Sequence, residues 1–426
     1  MRPVTLRQKS LDDYSRLVGE ARIEEIKRLA EPLRGARVLH INATSYGGGV
    51  AEILHNLVPL MNDVGLQATW MVVDAADPAF FDITKRIHNA LQGMPLDLTE
   101  KMRDLFLETD RQNAADLPEV DYVFAHDPQA VALRHFAENG GGGWSWRCHI
   151  DLTSAYQPVW SFLRPYVREH DAAIFTMPQF AQPDLRMDRV VFSAPSIDPF
   201  AEKNAPLTLD EAHVIIRAFG FDDRRPLLVQ VSRFDPWKDP NGVIDAYRAV
   251  KAEIPDVQLA MIGSLADDDP EGKDFLARSI AHAGDDPDVR CLTNLDGVRD
   301  REVNAFQRAA TVVIQKSLRE GFGLVVAEAL WKGVPVVGGA VGGIPLQIVD
   351  GETGFLVTSV DECADRCLRL LREPALRERM GAAGHDHVRE SFLITRDLRD
   401  HLALCADLKA VQRHGHRTLT ALPRLP

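Results

Sequence analysis

Short runs of apolar and β-branched residues alternate with longer stretches whose apolar residues recur at helical spacing along most of the chain. Such alternation is typical of parallel sheets covered by helices on both faces. In the first half the predicted strands are ARVLHIN, ATWMVV, DYVFAH, WRCHI, AAIFTM and VVFSAP, and in the second they are PLLVQVS, VQLAMIGS, VRCLTN, TVVIQKS and VPVVGG. The pattern therefore predicts an α/β protein.

The alternation breaks near the middle of the chain, where prolines and polar residues replace both periodicities across SAPSIDPFAEKNAPLTLDE. We place a linker within residues 195–210 of this stretch. It separates a predicted N-terminal parallel-sheet domain, 1–198, from a predicted C-terminal one, 199–394. Leucines at roughly helical spacing follow, so residues 395–426 are predicted to form a terminal helix that joins the N-terminal domain.

Composition excludes several classes of protein. A chain of 426 residues exceeds what one hydrophobic core usually serves, about 250–300 residues, which supports two domains. The formal charge of −13 disfavours a nucleic-acid surface, and the five scattered cysteines show neither a disulfide framework nor a C-x-x-C zinc motif. No apolar run is long enough to cross a bilayer, and the first residues lack the apolar core of a signal peptide. We expect a cytoplasmic protein without a membrane partner.

The first predicted strand leads into three consecutive glycines, in HINATSYGGGVAEIL. Gly47, Gly48 and Gly49 thus lie in a strand-to-helix turn, where unpaired helix N–H groups and the helix dipole favour anions. The segment matches neither the dinucleotide-binding G-x-G-x-x-G nor a P-loop. A tight turn without a ligand fits such a glycine cluster equally well.

The strand PLLVQVS leads into a loop with two cations, Arg233 and Lys238, before Asp239 is predicted to cap the next helix. Arginine offers a planar fork to phosphate oxygens and lysine a compact charge, so the pair suits a diphosphate. The alternative for such cations is a solvated surface without a ligand.

Glu320 follows the strand TVVIQKS and precedes Gly321 and Gly323, whose loop starts a helix that contains Glu328. This arrangement would let Glu320 hold sugar hydroxyls while backbone N–H groups of the loop meet a phosphate. The alternatives are a capping charge for Glu320 and a surface position for Glu328. A further glycine-rich turn, 338–343, follows the next strand.

The R-x4-K pair, the E-x7-E motif that starts at Glu320 and the glycine-rich N-terminal loop together resemble the family 4 retaining glycosyltransferases. The resemblance implies the GT-B fold, in which two Rossmann-like parallel-sheet domains face each other across a cleft. Longer segments resemble the trehalose glycosyltransferring synthases, among them HINATSYGGGVAEILHNLVPL, WRCHIDLT, SRFDPWKDP and QIVDGETGFLV. Leu346 stands where many family 4 relatives carry a glutamate, and the narrower group also lacks that acid.

The resemblance implies a role for each matching position in the C-terminal domain and the glycine loop. Arg233 and Lys238 would act in catalysis by gripping the diphosphate. Glu328 would bind the ribose hydroxyls, and Glu320 would hold the donor sugar at the reaction centre. Backbone contacts to the sugar and the distal phosphate would come from Gly321, Phe322, Gly323 and Leu324, and across the cleft from Gly48 and Gly49.

Two neighbouring strands of the first domain end in a histidine with an aspartate close behind, at His126 and Asp127 and at His149 and Asp151. The resemblance implies that His149 binds the 6-hydroxyl of the donor and that Asp127 lies near the acceptor sugar. His126 and Asp151 are predicted to contact substrate. A histidine at the end of a strand more often makes structural hydrogen bonds alone.

The resemblance further implies reversible transfer of glucose from ADP-, UDP- or GDP-glucose onto free glucose, giving α,α-trehalose and a nucleoside diphosphate. No cofactor or metal is implied, because Arg233 and Lys238 would stabilise the departing diphosphate. Attack from the face that the diphosphate leaves is favoured over a double displacement through a carboxylate. The expected partners are these small molecules, with a homodimer left open.

Three alternatives stay open from the sequence. A retaining trehalose phosphorylase would use inorganic phosphate in place of the nucleotide. A family 4 glycosyltransferase could also take another acceptor, such as glucose 6-phosphate. The third is a catalytically silent sensor of sugar nucleotides.

Overall fold

The computed structural model describes residues 1–138, 142–265 and 270–414. The chain divides into two compact units. The first unit consists of residues 1–196 together with the chain from Ile394 onward, and the second unit is Ile197–Leu393. Each is an α/β unit built on a largely parallel sheet, which confirms the predicted fold class.

The strands of the first unit form one sheet in which neighbouring strands are parallel, apart from a short antiparallel strand at one edge. They are β1 (Arg2–Pro3), β2 (Arg37–Asn42), β3 (Gln67–Val72), β4 (Tyr122–His126), β5 (Gly143–Arg147), β6 (Ala172–Phe175) and β7 (Val190–Phe192). Their order is β1-β3-β2-β4-β5-β6-β7, with β1 antiparallel to β3. The carboxyl ends of β2, β4 and β5 therefore lie next to one another along one edge.

Helices cover both faces of this sheet. They are α1 (Ser15–Val18), α2 (Glu20–Ala30), α3 (Gly49–Asp63), α4 (Ala79–Leu91), α5 (Glu100–Ala114), α6 (Leu133–Phe136) and α7 (Gln157–Arg168). Alternation along β2 directs Leu39 and Ile41 into the core that α4, α5 and α7 cover, and Val38 into the core that α2 and α3 cover. The same alternation places His40 on the second face, where it is fully buried.

The second unit repeats this architecture with a parallel sheet. Its strands are β8 (Leu227–Val231), β9 (Gln258–Gly263), β10 (Val289–Thr293), β11 (Val312–Gln315), β12 (Val336–Gly339) and β13 (Gly354–Val357). Its helices are α8 (Leu209–Ala218), α9 (Pro240–Glu253), α10 (Pro270–Ala283), α11 (Asp300–Ala309), α12 (Leu324–Trp331), α13 (Ile344–Gln347), α14 (Val360–Arg372) and α15 (Pro374–Ser391). The strand order β10-β9-β8-β11-β12-β13 puts β8, β11 and β12 side by side at its centre.

The last helix, α16 (Ile394–His414), returns the chain to the first unit and packs into the same core as α2 and α3. Arg396 of this helix donates to the hydroxyl of Ser193 at 2.8 Å and to Oδ2 of Asp400 at 2.9 Å. Asp397 accepts a hydrogen bond from the hydroxyl of Ser196 at 2.9 Å. These contacts fasten the start of α16 to the segment that follows β7. The rest of the predicted terminal helix, 415–426, lies outside the described residues.

Three strands differ from the prediction. The pattern places a strand at WRCHI, whereas β5 begins earlier, at Gly143. A Cβ on Gly143 would lie 3.0 Å from a methyl group of Leu408, so glycine lets α16 pack onto this strand. The pattern does not predict β1 or β13, which are short strands at the two sheet edges. Among the described helices none is long and apolar enough to cross a membrane.

Candidate active site

The glycine-rich turn of the first unit borders open space. It joins β2 to α3, with Gly49 as the first residue of the helix. Gly47 has a φ of 74°, which favours glycine, and Gly48 is extended with a φ of 169°. A Cβ built on Gly47 or Gly48 would meet no atom within 4 Å. Packing inside the protein therefore does not require these side chains to be absent, and the space leaves room for a ligand.

Hydrogen bonds at the end of β2 fix the entry to this turn. The indole N–H of Trp70 donates to Oδ1 of Asn42 at 2.7 Å, and the amide of Asn42 donates to the carbonyl of Thr44 at 2.7 Å. The hydroxyl of Thr44 donates in turn to the carbonyl of Tyr46 at 2.8 Å. The chain is thus held up to Tyr46, whose side chain is exposed.

His126 and His149 lie side by side because His126 ends β4 and His149 lies just beyond the adjacent parallel strand β5. Nδ1 of His126 is 3.1 Å from Nε2 of His149, and the two rings stack with centroids 5.4 Å apart. His126 is buried, whereas His149 is half-buried. Burial holds the pKa of each ring well below its usual value, so both imidazoles are neutral at pH 7.

Asp127 follows β4 directly and has a φ of 59°, a conformation that non-glycine residues rarely adopt. Its Oδ1 accepts the backbone N–H of His149 at 2.8 Å, and its carbonyl accepts the indole N–H of Trp146 at 2.9 Å. Burial raises the pKa of Asp127 to about 7. The carboxyl group therefore gains and loses its proton near neutrality, as a general base requires.

Asp151, the remaining predicted residue of this group, lies in a local turn. Its Oδ1 accepts the backbone N–H of Thr153 at 2.9 Å and also the hydroxyl of that residue. The structure thus brings His126, Asp127 and His149 into contact and places Asp151 just beyond them.

Two buried polar residues that the motifs do not single out complete the layer beneath His149. Nδ1 of His40 is 3.1 Å from Nε2 of His126. Arg147, the last residue of β5, is in register with His126, and among the described residues its Nη1 has no hydrogen-bond partner. The charge of Arg147 also helps to lower the pKa of His149. In the sequence His40 and Arg147 each stand inside an apolar strand. This pattern alone does not show whether such a residue contacts a ligand or has only a structural role.

In the second unit, Lys238 and Glu320 form a largely buried ion pair. Nζ of the lysine is 2.7 Å from Oε2 of the glutamate, and the two side chains are 14% and 10% exposed. The same carboxylate oxygen accepts hydrogen bonds from the hydroxyl of Ser317 at 3.3 Å and the amide of Gln315 at 3.4 Å. Lys238 follows β8 and Glu320 follows the adjacent β11, so the sheet order brings them together. Lys238 therefore does not belong to a solvated face.

The loop after β8 presents a second cation to solvent. The side chain of Arg233 is 63% exposed and lies 3.3 Å from Oδ2 of Asp235. Asp239 caps α9 as predicted, since its Oδ1 accepts the backbone N–H of Gly242 at 3.2 Å. Lys316, which the motifs do not single out, pairs with the other carboxylate oxygen of Asp239. The loop between β8 and α9 thus carries two cations, Arg233 and Lys238, and a third, Lys316, is paired with its last residue.

The loop that carries Glu320 continues into α12, which begins at Leu324 behind Gly323 with a φ of 78°. The first N–H groups of a helix have no acceptor within the helix, so they can bind an anion. The loop rests on the second glycine-rich turn, where a Cβ on Gly342 would lie 1.6 Å from the carbonyl oxygen of Glu320. The glycine at 342 is therefore required by loop packing, unlike Gly48.

Two further predicted positions in this segment are buried. The ring of Phe322 lies 5.5 Å from the ring of Phe392, centroid to centroid, in a tilted arrangement, and the carbonyl of Phe322 accepts a hydrogen bond from the amide of Gln347. Glu328 is only 1% exposed, so it is not a surface residue. Its Oε2 accepts the amide of Gln307 at 3.0 Å. Glu328 and Glu320 thus share one loop and helix but have different partners.

Metal binding has no candidate cluster in the described residues. In those residues no group of three or more His, Cys, Asp or Glu side chains could hold a metal ion.

Two family descriptions match the chain. Residues 40–182 match "Trehalose synthase, N-terminal domain", and residues 213–387 match "Glycosyl transferases group 1". A trehalose synthase from Rubrobacter xylanophilus is 50% identical over 409 residues, which cover 95% of this chain and 98% of that protein. This chain belongs to the trehalose synthase family of glycosyltransferases. Another member, from Pyrococcus horikoshii, is 48% identical over 94% of this chain and 97% of its own length. The resemblance inferred from the motifs is confirmed.

Solved structures agree on the fold of this family member. An α,α-trehalose-phosphate synthase (UDP-forming) from Burkholderia xenovorans, solved in complex with glucose-6-phosphate, matches with a TM-score of 0.68. The match covers 88% of this chain and 100% of that one at 15% sequence identity. At such low identity the likeness establishes the fold alone. It confirms the predicted GT-B class.

Proposed function

We propose that the protein transfers glucose from a nucleoside-diphosphate glucose onto free glucose, with retention of configuration, giving α,α-trehalose and a nucleoside diphosphate. The observation that carries the proposal is the ion pair between Lys238 and Glu320 beside the start of α12. It joins a cation suited to phosphate with a carboxylate suited to sugar hydroxyls. Membership of the trehalose synthase family supports trehalose as the product.

In this reaction the bond between the anomeric carbon and the diphosphate oxygen breaks, and the sugar becomes oxocarbenium-like. Arg233, Lys238 and the first N–H groups of α12 would stabilise the negative charge that grows on the diphosphate. The anomeric oxygen of the acceptor glucose then bonds to the same carbon, and its proton passes to the departing diphosphate. Because protein cations meet the charge, the proposal includes no metal.

Residues of the first unit have roles in handling the two sugars. His149 would bind the 6-hydroxyl of the donor, and Asp127 would accept a hydrogen bond from the acceptor glucose. The open space beside Gly48 leaves room for the donor to approach the backbone. Glu328 would bind the ribose of the nucleotide.

Product analysis by NMR tests the proposal. The purified protein is incubated with [1-13C]glucose and ADP-, UDP- or GDP-glucose, each with and without EDTA. Trehalose labelled in one ring, formed equally well with EDTA, is the expected result. Hydrolysis of every donor without trehalose would overturn the proposal. Parallel reactions with glucose 6-phosphate, and with trehalose plus inorganic phosphate, identify a phosphorylated acceptor or a phosphorylase.

A further inference from the structure

Three histidines form a hydrogen-bonded series across neighbouring strands of the first unit. His40 lies in β2, His126 ends β4, and His149 lies just beyond β5. The Nδ1 atom of His40 is 3.1 Å from Nε2 of His126, and Nδ1 of His126 is 3.1 Å from Nε2 of His149. We call these residues the histidine series. Its inner end is buried and its outer end, His149, is half-buried.

The proton positions along this series depend on one another. A neutral imidazole carries one N–H and one acceptor nitrogen, so each ring can donate on one side only. Two arrangements keep both hydrogen bonds. In the outward arrangement His40 donates to His126, which donates to His149, and in the inward arrangement both bonds are reversed.

The buried end of the series favours the outward arrangement. Nε2 of His40 is buried and has no hydrogen-bond partner among the described residues. The ring of His40 stacks on Phe124 with centroids 4.8 Å apart and lies 5.8 Å from the ring of His401, and neither contact is a hydrogen bond to Nε2. The inward arrangement would place an N–H at this nitrogen, and buried N–H groups without an acceptor are rare in folded proteins. The outward arrangement leaves only an acceptor nitrogen there.

Charged groups packed against the series do not supply another partner for Nε2 of His40. On the α16 side, Asp397 lies 3.2 Å from Nδ1 of His401 and accepts a hydrogen bond from Ser196. Arg396 is bound by Asp400. The remaining charge is Arg147, a cation that disfavours further protonation of the rings.

In the outward arrangement His149 uses Nε2 as an acceptor and carries its proton on Nδ1. Among the contacts of the described residues Nδ1 of His149 has no hydrogen-bond partner. We propose that His40 and His126 are positioning residues that fix His149 as an Nδ1–H donor toward the sugar. The direction of this N–H toward the sugar rests on the proposed function, in which His149 binds a hydroxyl of the donor glucose. That hydroxyl would then accept from His149 and donate its own proton elsewhere.

The full-length protein, labelled with 15N in histidine, gives the direct test. Two-bond 1H–15N correlation spectra distinguish the two tautomers of each ring, and the spectrum of His149→Gln assigns the signals of that residue. The expected result is an Nδ1–H tautomer for His149. An Nε2–H tautomer in the wild type would overturn the proposal without the need for any further variant.

Variants at His40 then test the coupling. His40→Asn places an amide donor near the position of Nδ1, whereas His40→Phe keeps the stacking on Phe124 but removes the donor. We expect the asparagine variant to keep the tautomer and the phenylalanine variant to give a mixture. The rate constant kcat/KM for the NDP-glucose should fall between about twofold and tenfold in the phenylalanine variant, the worth of one hydrogen bond. It should recover in the asparagine variant.

His170→Phe is the matched control. His170 is also a buried histidine whose Nε2 has no partner among the described residues, but its Nδ1 bonds to the carbonyl of Tyr166, away from the series. This variant should change neither the tautomer of His149 nor kcat/KM. The positioning role would be contradicted if His149 kept the same tautomer in His40→Phe as in the wild type. It would also be contradicted if the tautomer changed and kcat/KM did not. Absence of trehalose in the wild type would instead refute the proposed function, since the spectra do not depend on turnover.

Discussion

The ammonium group of Lys238 lies 2.7 Å from Oε2 of Glu320, and the two residues come from loops that follow adjacent strands. Each side chain supplies the opposite charge that the other requires in a largely buried place. On our proposal the lysine meets the diphosphate and the glutamate meets the sugar. The pair therefore connects the binding of the two halves of the donor.

Replacing Lys238 by methionine should lower kcat/KM for the NDP-glucose by about a hundredfold or more. The change removes a cation from the diphosphate that develops charge in the transition state. It also leaves Glu320 without its charge partner. Steady-state kinetics with the preferred donor measures the loss.

Lys251→Met is a matched control for this change. Lys251 also pairs with carboxylates, 2.5 Å from Asp286 and 3.0 Å from Asp288, but it lies in the last turn of α9, away from the carboxyl ends of the strands. Its replacement should lower the melting temperature and leave kcat/KM close to that of the wild type. Equal losses of activity in the two variants would mean that Lys238 acts only through stability.

The Gly48→Ala variant should separate packing from ligand binding. Its extended backbone and open surroundings accommodate a methyl group, so the melting temperature should stay constant or rise slightly. The methyl group would project toward the space that the donor occupies on our proposal. We therefore expect kcat/KM for the NDP-glucose to fall by about tenfold, because the methyl group would displace one contact between the donor and the backbone.

Gly297→Ala is the control for Gly48→Ala, because it should lower stability without affecting activity. Gly297 also borders open space but has a φ of 88°, so alanine there is strained. This variant should lose stability and keep its activity. If Gly48→Ala lost stability and kept its activity in the same way, a ligand beside Gly48 would be excluded.

Glu328→Gln should raise the KM for the NDP-glucose by roughly tenfold with little change in kcat. Ribose hydroxyls are bound in both the ground state and the transition state, so their loss affects binding uniformly. Glu362→Gln serves as the control, because that carboxylate caps α14 through Thr358 and should affect stability alone. A fall in kcat with constant KM in Glu328→Gln would assign this residue to the chemical step instead.

Asp127 should make the free energy of unfolding depend on pH. Burial raises the pKa of Asp127 to about 7, so the folded protein retains a proton that the unfolded chain releases near pH 4. This contribution is complete below about pH 4 and is lost as the pH rises through 7. The free energy of unfolding of the wild type, relative to Asp127→Asn, should therefore fall between pH 5 and 8.

Denaturant titrations of both proteins at several pH values measure this difference. Asparagine can still accept the backbone N–H of His149, so the variant isolates the charge. On our proposal the ionised form of Asp127 accepts from glucose, and kcat/KM for glucose should rise through pH 7 in the wild type. A constant difference in unfolding free energy across this range would contradict the raised pKa of Asp127.

The strands and the loops after them could be predicted from local pattern because each strand is a short apolar run. The exceptions are β1 and β13, which the pattern does not predict, and β5, whose first residues Gly143 and Trp144 lie in or next to a run of glycines. Gly143 pairs with Tyr122 of β4, and Leu408 of α16 packs so closely that a side chain at 143 would be crowded. No local pattern contains a contact between positions so far apart in the chain.

Some residues of the candidate site could likewise be predicted from local pattern, and others could not. Arg233, Lys238 and Glu320 could be singled out because each stands in a polar loop after an apolar strand. His40 could not, because a histidine inside the run ARVLHIN has the same appearance whether its ring contacts a site or only the core. Its place in the histidine series depends on the strand order, which puts β4 beside β2. The sequence also leaves open whether Glu328 is a surface residue or a site residue. Only the fold shows that it is buried and accepts a hydrogen bond from Gln307.

The position of α16 in the chain has a consequence for protein synthesis. The ribosome releases residues 1–196 first, with α2 and α3 that cover part of the sheet face carrying His40 and Arg147. The part of this face that α16 covers stays open until the residues of α16 have emerged. The second unit, Ile197–Leu393, has all of its strands before that moment and can fold first. A nascent chain that stops short of Ile394 would therefore carry a finished second unit and a first unit with one face partly exposed. Completion of the last helix is thus the event that closes the histidine-bearing half of the enzyme.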